Sequence, residues 1–127
     1  MADGRIYFVD NRFCVQCMEA APDAASPDAN APGPRIVWTL DMFEKLGVFP
    51  CDTADGSPLI VGDLLYVNTS NGVDRNTFSD PAREIHRKLP APDAPSLIVL
   101  DRRDGRLVAT DDAPVWKHML HGQWSPP

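Results

Sequence analysis

Four short apolar segments, three of them set off by Gly-containing turns, dominate the second half of the chain and constrain its fold most strongly. They span residues 59–61, 64–67, 97–100 and 106–109. Gly62-Asp63 follows the first segment, Asn71-Gly72 follows the second, and Arg103-Asp104-Gly105 joins the last two. Short runs of this composition between Gly-containing turns are typical of β-strands. The pattern therefore predicts four consecutive antiparallel strands.

The first half of the chain shows similar strand patterns and one helical interruption. Residues 5–9 and 35–40 are rich in β-branched and aromatic side chains, and residues 13–18 also form a strand-like run. A short helix near 41–46 is predicted next, because Asp41 can cap its first turn and Gly47 can end it. Residues 20–34 and 73–95 have the polar, proline-rich composition of long surface loops.

An internal repeat relates the two halves of the chain. The segment around Asp3-Gly4 resembles the one around Val61-Gly62, and Ser57-Pro58 recurs as Ser125-Pro126. Radially repeated β-propellers have units of about 40 to 50 residues, and the two long loops account for the wider spacing here. The sequence therefore predicts an all-β fold, a partial β-propeller made of antiparallel four-stranded blades.

This interpretation divides the chain into three parts. Residues 1–49 are predicted to form the last three strands of one blade together with the short helix. Residues 50–114 would form a complete blade that contains the long insertion 73–95, and residues 115–127 would lead into a further blade. Because about two blades leave apolar strand faces uncovered, we expect the chain to self-associate through these faces.

Composition narrows the classes of partner. The net charge is −6, and the only basic clusters, Arg83–Lys88 and Arg102-Arg103, are broken by acidic or apolar residues. Both features disfavour nucleic acid and anionic membranes as partners. No apolar run reaches the roughly 18 residues of a membrane span, and the first residues lack the pattern of a signal peptide. Three cysteines are present, and an odd number argues against a disulfide framework.

Structural roles explain the cysteines and the polar tract after the second predicted strand more simply than metal or cofactor binding does. Cys14 and Cys17 have CxxC spacing, but positions three apart on a regular strand point to opposite faces, so core packing is favoured over a metal or haem site. Residues 68–74 are rich in side-chain oxygens, which can bind calcium, but their spacing is not that of an EF-hand loop. A tight turn at Asn71-Gly72 is the simpler and favoured interpretation. No metal ligand set is predicted.

Residues 99–109, VLDRRDGRLVA, resemble the repeat of pyrroloquinoline-quinone-like (PQQ-like) propellers, whose motif is Ala-x-Asp-x-x-Thr-Gly-Lys-x-x-Trp. Asp101 and Gly105 match the motif, and Ala109 occupies the tryptophan position. In the first blade, Trp38 stands at that position. The segments RIVWTLDMFEKLGVFP, SPLIVGDLLYVNTSNGVD and HGQWSPP extend the resemblance to a bacterial, planctomycete-type group of PQQ-binding-like propeller proteins.

The resemblance implies roles for particular residues. Trp38, Asp101 and Gly105 would be structural residues that dock one blade on the next. In the resembling proteins, the segment that contains His121, Gln123 and Trp124 enters the innermost strand of the next blade, near the central channel. These three residues would then line a cofactor or ligand pocket; the alternative is that Trp124 packs between blades and His121 belongs to a turn.

The function implied by the resemblance is a non-catalytic binding or scaffold segment of a larger exported protein, periplasmic or extracytoplasmic. Its partners would be the remaining propeller blades or another protein. The alternative is part of a quinoprotein dehydrogenase that oxidises alcohols or sugars with PQQ and calcium. The adjacent cysteine pair associated with alcohol-oxidising quinoproteins is absent from this sequence, and no catalytic residue is predicted.

Overall fold

Two antiparallel β-sheets and one short helix are present in the computed structural model, which describes residues 3–20, 35–51, 56–72, 90–112, 123 and 125–127. The first sheet has the order β1-β2-β3, with β1 at Arg5–Val9, β2 at Cys14–Glu19 and β3 at Ile36–Asp41. The second has the order β4-β5-β6-β7, at Leu59–Val61, Leu64–Asn68, Leu97–Asp101 and Leu107–Thr110. The predicted β-rich composition is confirmed, and each predicted strand is found within one residue at either end.

The short helix α1, Met42–Leu46, follows β3 directly and confirms the predicted helix. The side chain of Asp41 accepts a hydrogen bond from the Glu44 amide at 2.9 Å, which satisfies one of the unpaired amides of the first turn. Gly47 ends the helix in the left-handed region, with φ at 65°. The helix buries Met42 against the sheets and leaves Phe43 exposed.

The main core lies between the two sheets. Alternation along each strand sends one set of side chains towards the other sheet and the next set outwards. The second sheet contributes inward-facing aliphatic residues from β5 and β6, and the first sheet contributes residues from β1, β2 and β3. The buried members of this core are Val15, Met42, Val48, Leu65, Val67, Ala94, Ile98 and Leu100.

The polar tract after β5 is a buried anchor for the loop that precedes β6. The Asn71 amide nitrogen donates to the carbonyls of Ala91 and Ala94, and its oxygen accepts from the Phe49 amide. Thr69 donates its hydroxyl to the Pro95 carbonyl at 2.6 Å. These side chains bond to main-chain groups and thereby connect the loop after α1 with the loop before β6. The interpretation as a simple tight turn did not include this role.

Several predicted features lie outside the described residues. These are most of the loop 20–34, the greater part of the insertion 73–95, and the segment 113–122. In the described part of the chain, no helix has the length and apolar character needed to cross a membrane.

Candidate inter-sheet docking site

An aromatic pair projects from the first sheet towards the second. Strand register places Tyr7, Cys17 and Trp38 in one row across β1, β2 and β3. The row faces the second sheet, because Tyr7 and Trp38 pack against the shared core and Cys17 between them is fully buried. The rings of Tyr7 and Trp38 lie 6.0 Å apart with a tilt of 46°, which is within the favourable range for aromatic pairs.

Both aromatic residues bind the same main-chain atom of the other sheet. The Trp38 indole donates from Nε1 to the carbonyl oxygen of Arg102 at 3.1 Å. The Tyr7 hydroxyl donates to the same oxygen at 3.2 Å. Arg102 lies in the turn that connects β6 to β7, so two side chains of the first sheet converge on a turn of the second. We call Tyr7, Trp38 and residues 101–105 the docking site.

Close approach of the indole to the turn requires a residue without a side chain at Gly105. An added Cβ there would lie 2.6 Å from Trp38 Cε3 and 2.7 Å from Cδ2, well inside the usual separation of carbon atoms. Gly105 also has a φ of 75°, in the left-handed region that other residues rarely adopt. Steric space and backbone conformation therefore both demand glycine at this position.

Asp101 organises the turn on which the indole rests. Its carboxylate accepts from the Arg103 amide at 3.0 Å and from two nitrogens of the Arg103 guanidinium, at 2.9 and 2.6 Å. Its carbonyl accepts from the Gly105 amide. These hydrogen bonds from Arg103 hold the pKa of Asp101 well below its usual range, with a smaller contribution from the charge of Arg106.

Charged residues surround the open side of the docking site. The Arg102 guanidinium is 2.6 Å from the carboxylate of Asp3 and 3.7 Å from that of Asp63, so it links turns of the two sheets. Arg5 donates to the carbonyl of Arg103 at 3.2 Å. These groups line an open cavity of about 300 Å³. Arg102 is paired with both acidic residues of this lining, and the arrangement is that of a structural junction.

The second sheet has a corresponding row of residues, but this row lies on the face that points away from the first sheet. Register places Tyr66, Val99 and Ala109 in one row across β5, β6 and β7. Tyr7 and Tyr66 are each the third residue after a two-residue turn, Asp3-Gly4 in one case and Gly62-Asp63 in the other. The spacing between equivalent residues of the two sheets is therefore one residue longer than the spacing between Gly4 and Gly62.

This correspondence allows the orientations of the two sheets to be compared. The Tyr7 row points towards the second sheet, whereas the Tyr66 row is on the face that points away from the first sheet. A two-fold sandwich would bring equivalent rows together. Here, the Tyr7 row and the Tyr66 row lie on faces that point in the same direction. The inner face of the first sheet therefore meets the non-equivalent face of the second sheet.

Each sheet also has an outer face that carries exposed apolar side chains. On the second sheet, Leu59 and Val61 lie beside Tyr66 and Leu64, and Val61 is 53% exposed. On the first sheet, Ile6 and Ile36 both pair with Met18, and Ile36 is 48% exposed. Apolar patches of this kind on sheet faces indicate contact surfaces.

The structure places the sequence-predicted residues in two groups. Trp38, Asp101 and Gly105 come together in the docking site, although Trp38 bonds to the carbonyl of Arg102. Gln123 is half-buried near Gly56, and His121 and Trp124 lie outside the described residues, so the predicted pocket has no described geometry. Among described residues, no group of three potential metal-binding side chains occurs.

Tyr7, Arg102 and Arg103 are the interacting members of the docking site that sequence reasoning missed. A signal for Tyr7 was present, because it occupies the same place relative to a turn as Tyr66. Arg102 contributes through its carbonyl oxygen, which no residue-type pattern marks. Comparison of the chain with protein-family models, curated proteins and solved structures found no match in any of the three.

Proposed function

We propose that this chain is a non-catalytic segment of a PQQ-like β-propeller and serves as a binding or scaffold module within a larger exported protein. In this proposal the first sheet is the outer part of one blade and the second sheet is a complete blade. Trp38, Asp101 and Gly105 are the residues that join them. The outer faces of both sheets receive further blades or a partner protein with a similar apolar face.

One observation carries the proposal: the Tyr7 row faces the neighbouring sheet while the equivalent Tyr66 row faces outwards. Successive blades of a propeller pack in this way, each using one face for the preceding blade and the other for the next. The order β4-β5-β6-β7 is the simple antiparallel order of a blade. Trp38 on the turn of the next sheet supports the same relation.

The proposal predicts that the outer faces drive association of the isolated chain. We would replace Val61 with Lys, which puts a charge on the outer face of the second sheet, in its edge strand β4. Phe43 on α1 is the matched control, because it is equally exposed at 53% but belongs to neither sheet face. Sedimentation velocity should show association of the wild-type chain, a larger monomer fraction for Val61→Lys, and little change for Phe43→Lys.

Three results would count against the proposal. A monomeric wild-type chain with cooperative unfolding would mean that the outer faces need no cover. Equal effects of the two lysine variants would mean that association does not depend on the sheet faces. PQQ and calcium added to the chain should produce no dye-linked oxidation of alcohols or sugars, and sustained oxidation would favour a catalytic role.

A further inference from the structure

The outer edge of β1 has main-chain hydrogen-bonding groups without strand partners among the described residues. The carbonyl of Gly4 accepts from the Ala20 amide at 2.7 Å, and the Asp10 amide donates to the Cys14 carbonyl at 3.0 Å. Because main-chain groups alternate in direction along a strand, even-numbered residues of β1 bond to β2. The N–H and C=O groups of Arg5, Tyr7 and Val9 therefore point to the free edge.

The second sheet has a strand in the equivalent place. There, the Arg102 amide donates to the Asp63 carbonyl and the Thr69 amide donates to the Ser96 carbonyl, so odd-numbered residues of β5 bond to β6. Leu64 and Tyr66 consequently point to β4, which pairs with both. Arg5 and Tyr7 correspond to Leu64 and Tyr66, but the first sheet has no described strand beside them.

The turn before β1 has the geometry of a hairpin. Asp3 and Gly4 have φ values of 50° and 68°. Two successive residues with positive φ are typical of the type I′ turn, whose twist joins two antiparallel strands. The corresponding turn between β4 and β5, Gly62-Asp63, also begins with a positive φ, 59° at Gly62, and joins two paired antiparallel strands.

We propose that the outer edge of β1 is a binding site for an extended segment with the apolar character of β4, which adds to the first sheet as a fourth, antiparallel strand. This rests on the repeat that underlies the proposed function and specifies its partner at one edge. Main-chain bonds to Arg5, Tyr7 and Val9 hold the segment, as in other cases of strand addition. Its residue opposite Tyr7 takes the place that Leu59 has opposite Tyr66.

The side chains of β4 define what the added strand should carry. Leu59 and Val61 lie on one face and Ile60 on the other, towards the core. At the edge of β1, the residue opposite Tyr7 would lie on the face towards the second sheet, and the residue opposite Ile6 would lie on the outer face. Both faces favour apolar residues, so a continuous run such as Leu-Ile-Val fits better than an alternating polar strand.

The test uses the full chain and a capped peptide with the sequence of residues 56–63, GSPLIVGD. Amide exchange is followed by NMR. In the chain alone, the amides of Arg5, Tyr7 and Val9 should exchange faster than those of Ile6 and Phe8. Peptide at millimolar concentration should slow the exchange of the Arg5, Tyr7 and Val9 amides about tenfold, because each gains a partner in the added strand.

Two modified peptides provide the matched controls. N-methylation at Leu59 removes a donor that would face β1, and N-methylation at Ile60 removes one that would face away. The first should abolish protection and the second should preserve it. Unchanged exchange of Arg5, Tyr7 and Val9 with the unmodified peptide, or equal protection by the two N-methylated peptides, would overturn the inference. Association through the sheet faces does not alter the alternation along β1, so the two proposals can fail separately.

Discussion

Gly105 provides the sharpest test of the contact between the two sheets. Replacement by Ala imposes two separate penalties. The backbone at φ 75° is unfavourable for a residue with a Cβ, which costs roughly 1–2 kcal/mol. The new Cβ also overlaps the Trp38 ring, where the nearest carbon is 2.6 Å away. The ring must move, and its hydrogen bond to the Arg102 carbonyl must lengthen.

The overlap should add about 1–3 kcal/mol, the usual range for an extra methyl group in a packed contact. Gly105→Ala is therefore expected to lower the free energy of unfolding by about 2–5 kcal/mol in total. Gly47→Ala is the matched control. Gly47 has a similar φ of 65°, but nothing lies within 4 Å of its added Cβ, so only the backbone penalty applies. The difference between the two variants isolates the contact with Trp38.

Urea unfolding followed by tryptophan fluorescence measures both variants. A Trp38→Leu background supplies the second arm of a double-mutant cycle, because the smaller side chain relieves the overlap. In that background, Gly105→Ala should cost about as much as Gly47→Ala. Equal costs of the two alanine variants in the wild-type background would refute the reasoning, since the indole would then not rest on the turn.

Three further predictions concern single groups. Asp101→Asn should lower the free energy of unfolding above about pH 4, where the carboxyl of the unfolded chain is ionised. Because the pKa of Asp101 is lowered in the folded chain, the difference in unfolding free energy between variant and wild type should become smaller as the pH falls further. Urea titrations at pH 7 and pH 3 measure this difference. Burial raises the pKa values of Cys14 and Cys17, so a thiol reagent at pH 8 should label them slowly until denaturant is added. Asn71→Ala should cost about 2–4 kcal/mol in urea unfolding because buried main-chain groups lose their partners; Asn71→Asp, which keeps the acceptor, should separate the two losses.

Local sequence signals predicted the strands well because turns mark their ends. Gly62-Asp63 and residues 103–105 separate apolar runs that are too short for helices, and Asp41 with Gly47 brackets the one helix. These signals act within a few residues of each other. Period-two alternation then indicates which side chains share a face, but it does not say which face meets the other sheet.

The docking site and the polar tract after β5 could be predicted only in part, because both depend on contacts between residues far apart in sequence. Trp38 and Gly105 could be found from the repeat motif, whereas the role of Tyr7 depends on the register of three strands. Asn71 next to Gly72 has the local preference of a turn, but its side chain bonds to a loop 20 residues away in sequence. Long-range partners of this type are set by packing between elements and leave little trace in local composition.

The aromatic pair recognises a carbonyl oxygen and a glycine, and it makes few demands on the rest of the turn. Because the two hydrogen bonds from Tyr7 and Trp38 go to the main-chain oxygen of Arg102, they do not require a particular side chain at residue 102. A duplicated unit that keeps the turn shape and this glycine would fit the same aromatic pair from the start. Such a connector allows repeated units to diverge in their surface residues, and to acquire different ligands, while their order of stacking is inherited unchanged.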